Sequence, residues 1–317
     1  MSLAKQYGTE KAIKTMPENM AETVPSCLID NAPAHNVKET KGLKEQTITA
    51  NGSDKSRIAR QFSRAASTYD SAAMVQLDIA TDAMAFLPER GNALLDIGCG
   101  TGRNSAELGK RCRQLLGLDL AFGMLSYAKG SSRNERQNVM WLQGDAESLP
   151  VQDKSVDRVY SSMVLQWCRQ QNQVMGEVNR VMTSGGEAVL AIMCDGSFSE
   201  LNHSWQQLDN GQHVNDFATV RSWQNAALAQ GLQVHVCTKQ YVTWHANLRQ
   251  LLSSIKSIGA NVVLPTEQAQ SELTNRHTFN RQTLLQLEAV YRQSFAKDKL
   301  LPLTYQVCYL HCKKTKI

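Results

Sequence analysis

Residues 94–102 read LLDIGCGTG, and this stretch constrains the fold more than any other part of the chain. An apolar run ends at Asp96, and glycines follow at alternate positions, Gly98, Gly100 and Gly102. The run predicts a strand buried on both faces. The glycines predict a tight turn where backbone approaches a ligand with no Cβ in the way. Two details argue against a phosphate cradle. A P-loop needs Gly-Lys-Ser/Thr, whereas Gly102 is followed by Arg103 and Asn104. A dinucleotide fingerprint spaces its glycines G-x-G-x-x-G, and here the spacing is G-x-G-x-G. An acid at the end of the strand repels a pyrophosphate and suits a cation or a hydroxyl or amine donor.

Downstream, strand-like and helix-like segments alternate. A helix at about 103–112 leads to QLLGLDL, ending at Asp119. A helix with Met124 and Leu125 leads to VMWLQGD, ending at Asp145. VDRVYSSM, a helix at about 172–183, a Ser184-Gly185-Gly186 turn and EAVLAIM follow. Strands alternating with helices predict a parallel, doubly wound α/β sheet. Ligands in such sheets bind beyond the carboxyl ends of the strands, and Asp96, Asp119 and Asp145 would line that rim.

Before the glycine turn, Ile58, Phe62, Ala65, Met74, Leu77, Ala80 and Met84 recur at helical spacing, predicting two helices joined near residues 67–70. Residues 1–53 have no sustained periodicity and read as a poorly ordered extension of a domain spanning 54–317. Residues 195–270 break the alternation and read as a lid, interrupted by a β-rich stretch at 233–244. A helix at about 281–294 and a last strand, TYQVCYLHC, close the domain.

Composition narrows the classes. Hydrophobic residues are 42% and charged residues 20%, as in globular proteins. No apolar run approaches the ~20 residues of a membrane span, and the opening residues carry no apolar core of a secretory signal. The eight cysteines form no C-x-x-C pair and no zinc-spaced cluster, so no metal is expected and free thiols in a cytoplasmic setting are. The net charge of +5 permits an acidic partner without demanding nucleic acid.

The GxGxG turn followed by acid-terminated strands resembles motif I and its neighbours in the class I S-adenosylmethionine (SAM)-dependent methyltransferases. The resemblance implies a mostly parallel seven-stranded Rossmann-like sheet with SAM as co-substrate. It also assigns roles: Asp96 and the turn of Gly98, Gly100 and Gly102 to the methionine end, Asp119 to the ribose hydroxyls, Asp145 to the adenine amino group, the Ala146 amide beside the ring, and Met124 and Met163 to the pocket. After the fourth strand the (Asn/Asp)-Pro-Pro-(Tyr/Phe) motif common among base-amine methyltransferases is absent from SSMVLQW, so nucleic acid loses ground as a substrate. Trp167 reads equally well as acceptor pocket or core.

Further segments resemble the malonyl-[acyl-carrier protein] O-methyltransferases of biotin synthesis. They are Phe62, Arg64-Ala65-Ala66, Tyr69, Ala73 and Gln76; Leu165-Gln166-Trp167-Cys168, with Val164 in place of Ala; and Gly196-Ser197-Phe198-Ser199-Glu200-Leu201. His213-Val214-Asn215-Asp216-Phe217, Ile255-Lys256-Ser257-Ile258-Gly259-Ala260 and Leu303-Thr304-Tyr305 complete the likeness over about residues 55–315. It implies methylation of the free carboxylate of a malonyl thioester, carried by acidic acyl carrier protein or by coenzyme A (malonyl-CoA), with no membrane partner. Basic residues such as Lys55, Arg57, Arg60, Arg64 and Lys256 would face that carrier.

Tyr69, Arg64 and Lys256 are the residues expected to hold the acceptor carboxylate, ahead of His213 and Asn215. A carboxylate is already ionised at neutral pH, so no general base is required. Two alternatives share the SAM site: methylation of a quinone or other metabolite, and SAM binding without turnover.

Overall fold

The structure is a computed structural model. It describes residues 44–131, 139–209, 211–258, 260, 263 and 280–316, with side chains from Asp54 onward. The chain divides into two units, Met1–Lys44 and Glu45–Ile317. The first lies outside the described residues except for Lys44, as does most of the extension expected at 1–53.

Two helices open the described chain, α1 (Lys44–Ala72) and α2 (Met74–Ala85). α1 begins ten residues before the boundary expected at 54, running straight through Asn51-Gly52-Ser53. Glycine costs only about 1 kcal/mol in a helix interior, and Ile58, Ala65 and Ala66 anchor the helix by burial further on. The joint to α2 falls at Ala73, beyond the 67–70 expected from periodicity.

The core is one sheet of seven strands. In chain order come β1 (Gly91–Ile97), α3 (Ser105–Gly109), β2 (Cys112–Asp119), α4 (Phe122–Gly130), β3 (Val139–Gln143) and β4 (Val156–Ser162). A 3-10 turn (Leu165–Trp167), α5 (Gln171–Val181) and β5 (Met182–Met193) follow. Then come α6 (Ser199–Gln206), α7 (Val220–Ala229), β6 (Gln233–His245), α8 (Leu248–Ser257), α9 (Arg281–Phe295) and β7 (Leu301–Lys313). The spatial order is β3-β2-β1-β4-β5-β7-β6. β1 to β5 pair in parallel, and β7 runs antiparallel to both β5 and β6.

This is the doubly wound sheet that the alternation predicts. Leu94, Leu95 and Ile97 of β1 are fully buried, because helices cover both faces. On one face lie Ile79 and Ala83 of α2, Trp205 of α6, Leu251 of α8 and Tyr291 of α9. On the other lie Val174, Met175 and Val178 of α5 and Trp223 of α7. The Gly185-Gly186 turn is absorbed into β5 as an irregularity. Pairing with β4 jumps from Val156↔Met182 to Arg158↔Glu187, and Gly185 takes φ +75°.

Of the segment expected as a lid, 195–270, residues 210, 259, 261–262 and 264–270 lie outside the described residues, and the rest divides between the two faces of the sheet. α7 buries Trp223, Ala226 and Ala227 against the α5 side of the sheet and belongs to the ordinary helix layer. α6, Val214 and α8 lie on the other face with α2 and α9, and the end of α8 meets α1 at Thr68. Side-chain caps mark where these helices start: Thr219 accepts from the Ser222 amide and Asn247 from the Gln250 amide.

Candidate active site

The strand order brings the carboxyl ends of β3, β2, β1 and β4 side by side, and a cleft of about 620 Å³ opens there under α1. Its wall includes Gly98, Asp119, Asp145 and Ala146 from the strand ends, and Lys55, Ile58 and Phe62 from α1.

The glycine turn explains itself sterically. Gly98 has φ +77°, and a Cβ there would sit 2.1 Å from Val164 Cγ2. Only glycine permits that approach between β1 and the chain leaving β4. The Gly98 and Cys99 amides both donate to the Leu118 carbonyl, at 2.6 and 2.9 Å, which ties the turn to β2.

Asp119 is fixed from two sides. Its Oδ2 accepts from the Gly100 amide at 2.9 Å and its Oδ1 from the Ala121 amide at 2.7 Å. Burial pushes its carboxyl up to about 6 despite those bonds. Asp96 is buried more deeply, and desolvation together with the neighbouring Asp119 charge raises it to about 8. Two carboxylates raised in this way suit a ligand that brings positive charge and hydroxyl donors. Cys99, inside the turn, has its thiol pushed well above the ordinary range by burial and by both acids, so it is no nucleophile.

Asp145 is not bare. The Lys55 ammonium of α1 lies 2.5 Å from Asp145 Oδ2 and 2.5 Å from Glu147 Oε2. Burial pulls the Lys55 ammonium down, but the two carboxylates outweigh it and hold it above its ordinary value. One residue earlier, Asp54 accepts from Arg169 at 2.6 Å. Glu147 also accepts from the Arg169 and Gln170 amides at 2.8 and 2.9 Å. α1 is thereby fastened across the Asp145 side of the cleft by ion pairs from two adjacent residues, Asp54 and Lys55.

A second, smaller cavity adjoins the first. Phe62 and Trp167 belong to both walls, and their rings meet edge to face with centroids 5.7 Å apart. Trp167 is therefore pocket wall rather than core. Beyond this pair the cavity is walled by Met163, Met193, Phe198, Phe217 and Ile258, with Tyr69, Gln76, Gln166, Asn215 and Tyr305 as its polar groups. Met163 and Phe198 are both left-handed, with φ 59° and 58°. Non-glycine residues held there concentrate at functional sites. Phe198 also packs on Phe217 and Tyr305, with centroids 5.9 and 5.0 Å away.

Of the residues expected at the cofactor, Gly98, Asp119, Asp145 and Ala146 line the first cleft and Met163 the second. Asp96 lies buried behind the turn, and Gly100 and Gly102 shape it with φ 56° and 70°. Met124 is buried under α1 with Ala66 and Ala121. Of the residues expected at the acceptor, Tyr69 and Asn215 line the cavity. Arg64 and Lys256 do not: both are exposed on the outer faces of α1 and α8. Thr68 Oγ1 donates to the Ser257 carbonyl at 3.4 Å, which sets those two helix ends together. His213 stacks on Trp205 at 3.7 Å and pairs with Asp209 at 2.8 Å, which positions the loop that carries Asn215 and Phe217. Gly259, within one of the segments that carry the family likeness, lies outside the described residues. Lys55 as a cleft residue, and Gln76 and Tyr305 as cavity residues, carry no signal in spacing alone. Lys55 and Tyr305 lie on elements remote in sequence from the glycine turn, and Gln76 lies on the helix just before β1 in a stretch whose spacing reads as apolar packing.

Among the described residues no group of His, Cys, Asp and Glu could hold a metal ion, and no helix is long and apolar enough to cross a membrane.

Comparison with known proteins agrees with this geometry. A family model described as a methyltransferase domain matches residues 95–190. The YcgJ protein of Bacillus subtilis shares the fold, with a TM-score of 0.51 and 19% identity over 75% of this chain and 98% of that one. A putative methyltransferase of Bacillus halodurans does likewise, with a TM-score of 0.51 and 18% identity over 75% of this chain and 99% of that one. The biotin biosynthesis bifunctional protein BioHC of Cellvibrio japonicus is 37% identical over 260 residues, 81% of this chain; the chain spans 50% of that longer protein. The malonyl-[acyl-carrier protein] O-methyltransferase of Yersinia pestis is 35% identical over 81% of this chain and 90% of its own length, and that of Pectobacterium atrosepticum 34% identical over 81% and 95%. With paired clefts at the strand ends and relatives matched over nearly their whole length, the chain belongs to the malonyl-[acyl-carrier protein] O-methyltransferase family of SAM-dependent enzymes.

Proposed function

We propose that the protein methylates the free carboxylate of a malonyl group held as a thioester on acyl carrier protein. The observation that carries this reading is the pair of adjoining clefts: one lined by Asp119 and Asp145, the other a small cavity with polar groups but no cation among the described residues of its wall.

The residues of the first cleft fit SAM, which when bound supplies a methyl group on a positively charged sulfur. Asp119 would accept from the ribose hydroxyls, its carboxylate already oriented by the Gly100 and Ala121 amides. The turn of Gly98, Gly100 and Gly102, with Asp96 behind it, would receive the methionine end, and Met163 would border it. Asp145 and the Ala146 amide would meet adenine, with Asp145 shared between the ring's amino group and Lys55. Met124 of α4 supports the cleft from beneath α1.

The acceptor needs no base, because a carboxylate with a pKa near ~4 is ionised at neutral pH. What the chain must supply is alignment, with the carboxylate oxygen about 3–3.5 Å from the methyl carbon and in line with sulfur. It must also exclude water, which would solvate the nucleophile. Phe62, Trp167 and Met163 provide the apolar partition between the clefts, and the Tyr69 hydroxyl can donate to the acceptor. Arg64 of α1 and Lys256 near the end of α8, both exposed, would meet the anionic carrier outside the cavity.

The test is transfer of labelled methyl from SAM to malonyl-acyl carrier protein, with malonyl-CoA and the ethyl ester of the malonyl thioester as comparisons. Labelling of the carrier-bound free acid and none of the ester is expected. Absence of label in both free acids, with label in an unrelated metabolite, would overturn the reading.

A further inference from the structure

Gln76 is the least explained polar residue in the acceptor cavity. It sits in the first turn of α2, its side chain is only 8% exposed, and its Oε1 has no hydrogen-bond partner among the described residues. A buried amide left unpaired costs about 1–3 kcal/mol, and such groups in native structures call for a reason. The rest of that stretch of α2 is apolar: Val75, Ile79 and Ala80 are all buried. Packing alone would be served better by leucine or methionine.

The cavity supplies the reason. Gln76 shares its wall with Tyr69 and Tyr305. Tyr69 comes to that wall from α1 and Tyr305 from β7. We infer that Gln76, Tyr69 and Tyr305 form an uncharged grip for the acyl carboxylate: a half-turn of the Gln76 amide puts its N–H where the partnerless oxygen now stands, and that N–H and the two tyrosine O–H groups donate to the carboxylate. Gln76 is the residue that makes the cavity select a free acid. The inference rests on the acceptor reading above.

An uncharged grip has a chemical logic. A buried arginine or lysine would hold the carboxylate more tightly, but it would withdraw electron density from the attacking oxygen and repel the positively charged sulfur next door. Neutral donors orient the anion without either effect. In the transfer the carboxylate oxygen forms a bond to the methyl carbon, the carbon–sulfur bond breaks, and its electron pair stays on sulfur. The acceptor leaves as a neutral ester. Bonds to a charged acceptor are about twice as strong as neutral ones, so the grip weakens when the reaction is complete and the product departs.

Gln76→Met keeps the length of the side chain and removes its polar end. In the full chain it should raise KM for the malonyl thioester roughly 10- to 100-fold, the range expected for a lost bond to a charged group. SAM affinity by calorimetry should stay within about twofold and Tm should stay level or rise, since an unpaired buried amide is gone. Inhibition by the acetyl thioester, which has no free carboxylate, should be unchanged. Gln76→Glu should impair the malonyl substrate more than Gln76→Met, by placing like charges together. If the wild-type protein methylates the malonyl thioester and Gln76→Met leaves KM within twofold, the grip is refuted and the acceptor reading stands. Equal losses for malonyl and acetyl compounds, or a fall in Tm with loss of SAM binding, would make Gln76 a packing residue and also refute it. A wild-type protein inactive on every malonyl thioester would sink the acceptor reading and the grip with it.

Discussion

The Lys55 ammonium stands 2.5 Å from Asp145 Oδ2, so the acid at the end of β3 is met by a cation from the helix that covers the cleft. The same ammonium reaches Glu147, whose side chain is only 2% exposed. Replacing Lys55 with methionine would leave that buried carboxylate with backbone amides alone. The change should cost about 1–3 kcal/mol of stability, seen as a lower Tm, and should speed dissociation of SAM by loosening α1. Unchanged Tm and unchanged dissociation would show that the pair holds nothing in place.

Asp119 offers the second test. Both of its oxygens accept backbone amides that aim it into the cleft. Asp119→Ala should weaken SAM binding by about 1–3 kcal/mol through lost ribose hydrogen bonds. Calorimetry giving the wild-type affinity would remove Asp119 from the site.

Burial and the Asp119 and Asp70 charges push the Tyr69 hydroxyl up to about 12, so it remains a proton donor at neutral pH. Tyr69→Phe should lower turnover about tenfold or more, the value of one bond to a charged acceptor. SAM affinity should be nearly unaltered. A variant with wild-type kcat would exclude the hydroxyl from the reaction.

The two acids give a pH signature. Asp119, raised to about 6, must be ionised to accept the ribose hydroxyls, so SAM affinity should fall as pH drops through about 6. Because binding favours the ionised form, SAM should displace protons near that pH, detectable as calorimetric enthalpies that vary with the buffer's ionisation heat. Asp96 is raised to about 8, above its unfolded value, so the folded state binds the extra proton between about 4 and 8. Its contribution to the ligand-free fold is therefore full at low pH and declines as pH rises through that window. A ligand-free Tm that climbs from pH 6 to 8 would contradict the assignment.

Gly98→Ala tests the turn by sterics alone. The new methyl would lie 2.1 Å from Val164 Cγ2 at a residue with φ +77°. Loss of several kcal/mol of stability or of all SAM binding should follow, and a variant that melts and binds like the wild type would show that the turn yields easily.

Much of this architecture is legible in the chain. The alternation of segments predicts the sheet, and the phase of Asp96, Asp119 and Asp145 places them at one rim, because a residue's position along a strand fixes which end it reaches. The lid is harder to read. Aromatic-rich helices after β5 look alike in sequence whether they cap a pocket or, as with Trp223 of α7, fill the sheet's far face. Arg64 and Lys256 are cations suited to an anion, yet periodicity along α1 and α8 turns both outward. Gln76 and Tyr305 are polar letters in apolar stretches 229 residues apart, and only the return of β7 into the sheet brings them to one wall.

That return also dictates an order of events. β6 joins the sheet through β7, which lies between it and β5. β6 therefore enters the sheet only once β7 lies beside β5, and Tyr305 reaches the cavity wall in that same step.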